Sequence, residues 1–337
     1  METQATALTT VVISPRDRYS GLLECIEELY RCTPQPFELW VLDLDYPAEQ
    51  MEPVRRLLDG RDGTRIFPMG LITPMDALRE VRDQLHTPSV VLLDNDSRVT
   101  PGWLPPLVAA MESGATVVSP LVLEREGVDD GAELRNHLYR GEIRVVEHAG
   151  TRYLIEHKSH RRTPLEQIPR DQSSTQTFEL HCVLFASDTF KQIELPSMVV
   201  REHLDIALQV LLRGERMLVE PASQVIFDNL GTRMNMADMC FFFYRWQRRL
   251  TMQSANLFER RWGYRFYSEQ AMYNWVFRRK TFLLARWLGL PIRLSNRVTS
   301  LAKRVFCTDF DPLPNVDELA RPLFDGGVPV QLEHAIR

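Results

Sequence analysis

The chain has 337 residues, 44% hydrophobic and 25% charged, with a net charge of −5. That is enough to bury a large core in one large domain or two smaller ones, with the composition of an ordinary soluble globular protein. Five cysteines, an odd number without C-x-x-C spacing, argue for reduced thiols and against a disulfide framework or a zinc site. The opening METQATALTTVVI lacks a basic segment followed by a long apolar stretch, and no apolar run approaches a membrane span, so a cytoplasmic protein is expected.

In chain order, TTVVIS (9–14) reads as a strand, followed by a helix capped by Ser20 with Leu22, Leu23, Ile26, Leu29 and Tyr30 at helical spacing. FELWVLDLD (37–45) reads as a second strand and PAEQMEPVRRLLDG (47–60) as a helix closed by Gly60. TRIFPMG (64–70) suggests a third strand, and TPMDALREVRDQL (73–85) a helix with Thr73 as cap and Pro74 at its first position. Strand and helix alternating in this way imply right-handed crossovers and a parallel, doubly wound sheet.

SVVLLDND (89–96) then runs from a strand buried on both faces straight into two carboxylates, Asp94 and Asp96. Side chains two apart in extended chain point the same way, so these like charges repel unless a divalent cation relieves them. Oxygen ligands of this kind suit Mg²⁺ or Mn²⁺. The plainer alternative is a solvated loop in which Asp94 or Ser97 caps the next turn.

TPGWLPPLVAAMES (100–113) reads as a short helix and ATVVSPLVL (115–123) as a strand, whereas 124–176 is polar and irregular. ELHCVLFAS (179–187) resumes strand character. REHLDIALQVLLRG (201–214) is an amphipathic helix stopped by Gly214, and RMLVEPASQVIF (216–227) is extended. From about residue 236 the pattern is helical to about 306, before a tail rich in Pro and Asp.

In their order and spacing, these pieces resemble the bacterial glycosyltransferases of family 2, over roughly residues 8–230. The first strand, helix and second strand of VVISPRDRYSGLLECIEELYRCTPQPFELWVLD, the D-x-D strand in VVLLDNDSRVTPGWLPPLV, and the acidic helix and following strand in REHLDIALQVLLRGERMLVEPASQVIF carry the resemblance. It implies an α/β GT-A fold, Rossmann-like, with a mainly parallel sheet flanked by helices and a helical, basic, aromatic-rich C-terminal extension. The implied division is a nucleotide-sugar-binding and catalytic domain at 1–235 and an extension at 236–337. The implied activity is transfer of a sugar from a nucleotide donor, UDP-linked by expectation, to an acceptor hydroxyl with inversion.

Carried over residue by residue, the resemblance gives Asp96 the divalent metal that bridges the donor diphosphate, and Asp94 the donor ribose or the metal shell. Asn95 lies between them on the donor side. Ser14, Pro15 and Arg16 follow the first strand where the family's chain passes the nucleobase, and Arg16 is suited to phosphate oxygens. Asp43 matches the acid that recognises uracil in many members, with Asp45 as the alternative. Arg79 is a weaker base or phosphate contact. Asp228 stands near the place where some members have a metal-binding His.

Many inverting members read E-D-x-D where this chain reads Glu202-His203-Leu204-Asp205. Aligned on Asp205, Glu202 takes the first acid's place and His203 the usual place of the base, work that a neutral imidazole can also do. Either Glu202 or His203 is the base. His181 and Cys182 begin a strand near the acceptor and face opposite ways, so one packs while His181, with Arg201, is an acceptor-side contact.

Between Cys240 and Phe306 there are fourteen Lys and Arg against two acids, Glu259 and Glu269, and many aromatics, as in FFFYRWQRRL. Three readings are ranked in order: a helical extension framing the acceptor site, a segment lying peripherally on anionic membrane, and nucleic-acid binding. A nucleotide-sugar-binding pseudoenzyme without transfer activity is the alternative function. A nucleotidyltransferase is disfavoured, because no Gly-rich phosphate loop follows the first strand.

Overall fold

The structure is a computed structural model and describes residues 9–125, 133–227, 234–266, 269–307, 319–325 and 328–329. Its centre is a sheet whose first half is the predicted parallel one. β1 (Thr9–Ser14) lies between β2 (Glu38–Asp43) and β4 (Ser89–Asp94), and β3 (Thr64–Pro68) pairs on the far side of β2. The connections are α1 (Leu22–Cys32), α2 (Ala48–Leu58) and α3 (Pro74–Val81).

Period-two alternation decides which helices each strand meets. Val11, Ile13, Leu39, Val41, Val91 and Leu93 pack on the side holding Leu22, Ile26, Leu29 and Val54. Val12, Trp40, Leu42, Val90 and Leu92 pack on the other, with Leu78, Phe185 and Ile206. Both faces are buried, which is why these strands read as continuous apolar runs.

Thr73 caps α3 as expected, its hydroxyl accepting from the Asp76 amide at 3.2 Å, with Pro74 inside the first turn. Ser20 does not cap α1. That position is Gly21, at φ 104°, and the Ser20 hydroxyl instead donates to Asp238 at 2.7 Å. A Cβ on Gly21 would stand 3.1 Å from the Asn95 carbonyl oxygen, so the close approach of α1 to the end of β4 needs glycine there.

The second half of the sheet is mixed. After β5 (Ser97–Val99) and α4 (Leu104–Glu112), β6 (Val117–Arg125) leads away from the parallel strands. The irregular segment expected over 124–176 is corrected here. It holds β7 (Leu134–Leu138), β8 (Arg140–His148), β9 (Thr151–Ser159) and the short β10 (Ser173–Ser174). β8 and β9 form an antiparallel hairpin through Ala149-Gly150, both at positive φ, a backbone that fits a tight two-residue turn. Their polar and apolar residues alternate so closely that charge hides the strands; the face with Ile143, Val145 and Leu154 also carries Glu156 and Lys158.

β11 (Cys182–Ala186) runs antiparallel between β4 and β6. α5 (Ser187–Gln192), too short to stand out by periodicity, follows it. α6 (Glu202–Leu212) leads to β12 (Met217–Phe227), which is parallel to β6 and antiparallel to β5.

The C-terminal helices are α7 (Met236–Arg245), α8 (Arg248–Trp262), α9 (Glu269–Trp287) and α10 (Ile292–Phe306). The boundary expected at 235 does not coincide with a break in the core. Phe242, Trp246, Phe258, Trp262 and Phe266 share one apolar cluster with Ile143, Leu154, Val200, Leu204 and Leu208. All five cysteines are free thiols. Among the described residues, no helix is long and apolar enough to cross a membrane.

Candidate active site

The register of the sheet puts Ser14 beside Asp94 at the carboxyl ends of β1 and β4, where open α/β sheets leave a crevice. The Asp94 amide donates to the His181 carbonyl at 3.1 Å across the β4–β11 ladder. That pairing carries the His181 ring to Asp94, with Nδ1 2.8 Å from Oδ2. The ring is also stacked on Phe227 at 3.6 Å. His181 was expected on the acceptor side; its ring lies against the acids of the D-x-D turn while also lining the large cavity.

Ligand atoms of Asp94, Asp96 and His181 all lie within 4.8 Å of one another. Burial pushes Asp94 up to about 7 and Asp96 up to about 6. For Asp94 this outweighs the opposing pull of Arg16, and for Asp96 that of Arg18. Burial also pushes His181 down to about 3, leaving a neutral imidazole. Asp96 Oδ1 is buried with no hydrogen-bond partner. Two desolvated carboxylates, one with an orphaned oxygen, and a neutral imidazole form a donor set that fits a divalent cation accepting mixed O and N ligands.

A cavity of about 710 Å³ opens beside this cluster. Its lining contains eight Lys and Arg against four acids, so it favours an anion such as a diphosphate. A second cavity of about 450 Å³ shares Asp17, Arg161, Arg162, Trp275 and Arg279 with it and takes in Asp96 and Arg18.

Arg16 reaches from the loop after β1 to the Glu202 carboxylate, and its Nε lies 3.7 Å from Asp94. Burial opposes its charge, but Glu202 and Asp94 hold the guanidinium above its ordinary value. Glu202 is opposed by burial in the same way, yet Arg16 and Arg245 keep it below the usual carboxylate range. A carboxylate so paired is a weak base.

His203 differs. It is buried at the cavity wall, and neither ring nitrogen has a hydrogen-bond partner. Its Nε2 lies 3.6 Å from Glu156 Oε2. Glu156 and Lys158 come from β9, two apart and so on one face, and Glu179 from the approach to β11. Lys158 pairs with Glu179 and stands 3.7 Å from Glu156. Burial opposes ionisation of both acids, but Lys158 holds them well below their ordinary values. Glu156, Glu179 and His203 also lie close enough to hold a metal, but the Lys158 ammonium already serves as their cation.

Other expected site residues fare differently. Asp205 is turned from the cavity and accepts from Trp262 Nε1 and Gln209 Nε2, each at 2.8 Å, with Arg261 Nε at 3.1 Å. It joins α6 to α8 and lines neither cavity. Asn95 is fully buried and its amide is used structurally, donating to the Arg18 carbonyl at 2.8 Å and accepting from the Arg16 amide at 3.2 Å. It shapes the loop after β1 and offers little to a donor.

Arg79 is committed to the Leu195 carbonyl at 2.6 Å and to Asp76, and lines neither cavity. Asp43 ends β2 buried, accepting from the Tyr46 amide at 3.0 Å and from Arg55 at 3.2 Å. Burial raises its pKa. Asp45 is exposed at φ 66°. Ser14 is half-buried and Pro15 buried at the end of β1. Arg201 lines the cavity and donates to Glu156 at 2.8 Å. Asp228 lies outside the described residues.

Asp17, Glu156, Lys158, Glu179 and Arg245 were not singled out from sequence. The alternation of YLIEHKS is the one signal that could have found Glu156 and Lys158. Asp17 accepts from Arg245, Arg279 and, at 2.7 Å, Trp246 Nε1, so two C-terminal helices close over the loop after β1.

Comparison with known proteins agrees with this geometry. The profile of Glycosyl transferase family 2 matches residues 10–176. No curated protein matches the sequence. Among solved structures, the crystal structure of GalNAc-T7 with UDP, GalNAc and Mn²⁺ is similar at a TM-score of 0.50 and 12% identity. The match covers 93% of this chain and 59% of that one, so the chain spans well under two thirds of its neighbour's length. Residues 10–176, just under half of the chain, match the model of Glycosyl transferase family 2, and the fold is GT-A.

Proposed function

We propose that the protein transfers a hexosyl or N-acetylhexosaminyl group from a UDP-sugar to an acceptor hydroxyl, with a divalent cation and with inversion at the anomeric carbon. The observation that carries this reading is the meeting of Asp94, Asp96 and His181 where His181 lines the cation-rich cavity whose wall holds His203 and Asp96 lines the smaller cavity that shares residues with it. UDP and Mn²⁺, bound in the GalNAc-T7 structure, are the natural first probes.

Asp94, Asp96 and His181 would hold Mn²⁺ or Mg²⁺, which when bound offsets the charge gathering on the departing diphosphate. The chain's arginines add to that field. In a single displacement, the acceptor oxygen bonds to the anomeric carbon as the bond to the diphosphate breaks, and His203 takes the hydroxyl proton. The Glu156 carboxylate favours the resulting imidazolium, while Arg16 and Arg245 keep Glu202 occupied.

UDP with Mn²⁺ should raise the melting temperature of the full chain, and transfer should follow once an acceptor is supplied. Asp96→Ala should abolish both the Mn²⁺-dependent part of that rise and turnover. Equal stabilisation of the variant and the parent would remove the metal site from the reading. UDP binding without transfer to any acceptor would favour a pseudoenzyme.

A further inference from the structure

α10 packs on α9 through one face and leaves another bare. Leu294, Val298, Leu301 and Val305 are all exposed, Leu301 by 64% and Val305 by 65%. At 100° per residue these four fall within about 60° of arc, a continuous ridge along the helix. Arg293, Arg297 and Arg304, also exposed, occupy an adjoining arc of about 40°. Leu288, just past α9, is 69% exposed, and Phe306, at the end of α10 but off the ridge, 67%. Such a run is no scatter of single surface leucines. The opposite face holds buried Ser295 and Thr299, and Asn296 and Thr299 line the second cavity.

We propose that this face of α10 docks on an anionic lipid surface, with the leucine–valine ridge entering the interface and the arginine stripe on the headgroups. Charge complementarity selects this occupant. A second copy meeting the ridge in antiparallel fashion would bring two arginine stripes together, and a nucleic acid would leave the apolar ridge unused. The described helices contain no membrane-spanning candidate, so the contact is peripheral. The arrangement leaves one helix width, about 10 Å, between the lipid and the cavity, so an acceptor carried by a lipid headgroup would arrive beside the candidate site.

Flotation of the full chain tests this without donor or acceptor. The protein should float with vesicles of phosphatidylcholine mixed equally with phosphatidylglycerol, and far less with phosphatidylcholine alone. Leu301→Glu with Val305→Glu should abolish flotation. Each of Arg293→Gln, Arg297→Gln and Arg304→Gln should weaken it about fivefold. UDP–Mn²⁺ stabilisation measured on the same variants should stay at the parent value, which shows them folded and keeps failure here separate from failure of the transferase reading. Absence of flotation, equal flotation with both vesicles, or indifference to the glutamates would overturn the proposal. So would a concentration-dependent dimer in sedimentation that Leu301→Glu dissociates.

Discussion

Glu202 and His203 are neighbours on one helix turn, and their surroundings differ. Glu202 is held ionised between two guanidiniums, whereas His203 faces the cavity with both nitrogens free of hydrogen bonds. His203→Gln should lower kcat by about 10²–10⁴ while UDP affinity holds, as expected for loss of a general base. Glu202→Gln should chiefly reduce stability, because Arg16 and Arg245 lose their counter-charge. Turnover lost in Glu202→Gln with stability unchanged would reverse the assignment. At this scale, the place of Asp94 and Asp96 at the end of a buried strand was legible because strand and carboxylates are contiguous in sequence. The place of His181 was not, since it depends on pairing register between β4 and β11.

Among the elements, the parallel half of the sheet could be read because each strand is an apolar run separated by amphipathic helices. The β8–β9 hairpin could not. Its inner face carries the charges of the site, so the pattern that marks strands was interrupted by Glu156 and Lys158, the residues that matter there. The hold of α7 and α9 on the loop after β1 was equally hidden, because it runs through single acids. Asp238 accepts from the Tyr19 and Ser20 amides at 2.8 Å each, and Asp17 pairs with Arg245 and Arg279.

Burial opposes the charge of Asp17, but these arginines hold its pKa well below the ordinary carboxylate value. Its contribution is therefore complete above the unfolded-state pKa of about 3.9 and is lost as pH falls through the lower folded value. Asp17→Asn should cost about 3 kcal/mol at pH 7. The gap in thermal stability between parent and variant should narrow only below about pH 4. A gap that instead closed between neutrality and mild acid would show that the ion pairs are not its origin.

Taken whole, the molecule does not divide where composition changes. The basic aromatic segment reads as a separate unit by charge, yet its aromatics complete a core begun by β8, β9 and α6. Its first-ranked reading, a helical extension packed on the catalytic domain, accords with that shared core. The cavity has no local precursor either. Arg16, Glu156, Glu179 and Arg245 meet there from positions spread across some 230 residues of chain. Contacts so distant in sequence are the slowest to close, because loop entropy must be lost before they form. After dilution from denaturant, helical circular dichroism should recover before the UDP–Mn²⁺ response. A chain interrupted midway would be well structured by spectroscopy and still blind to nucleotide.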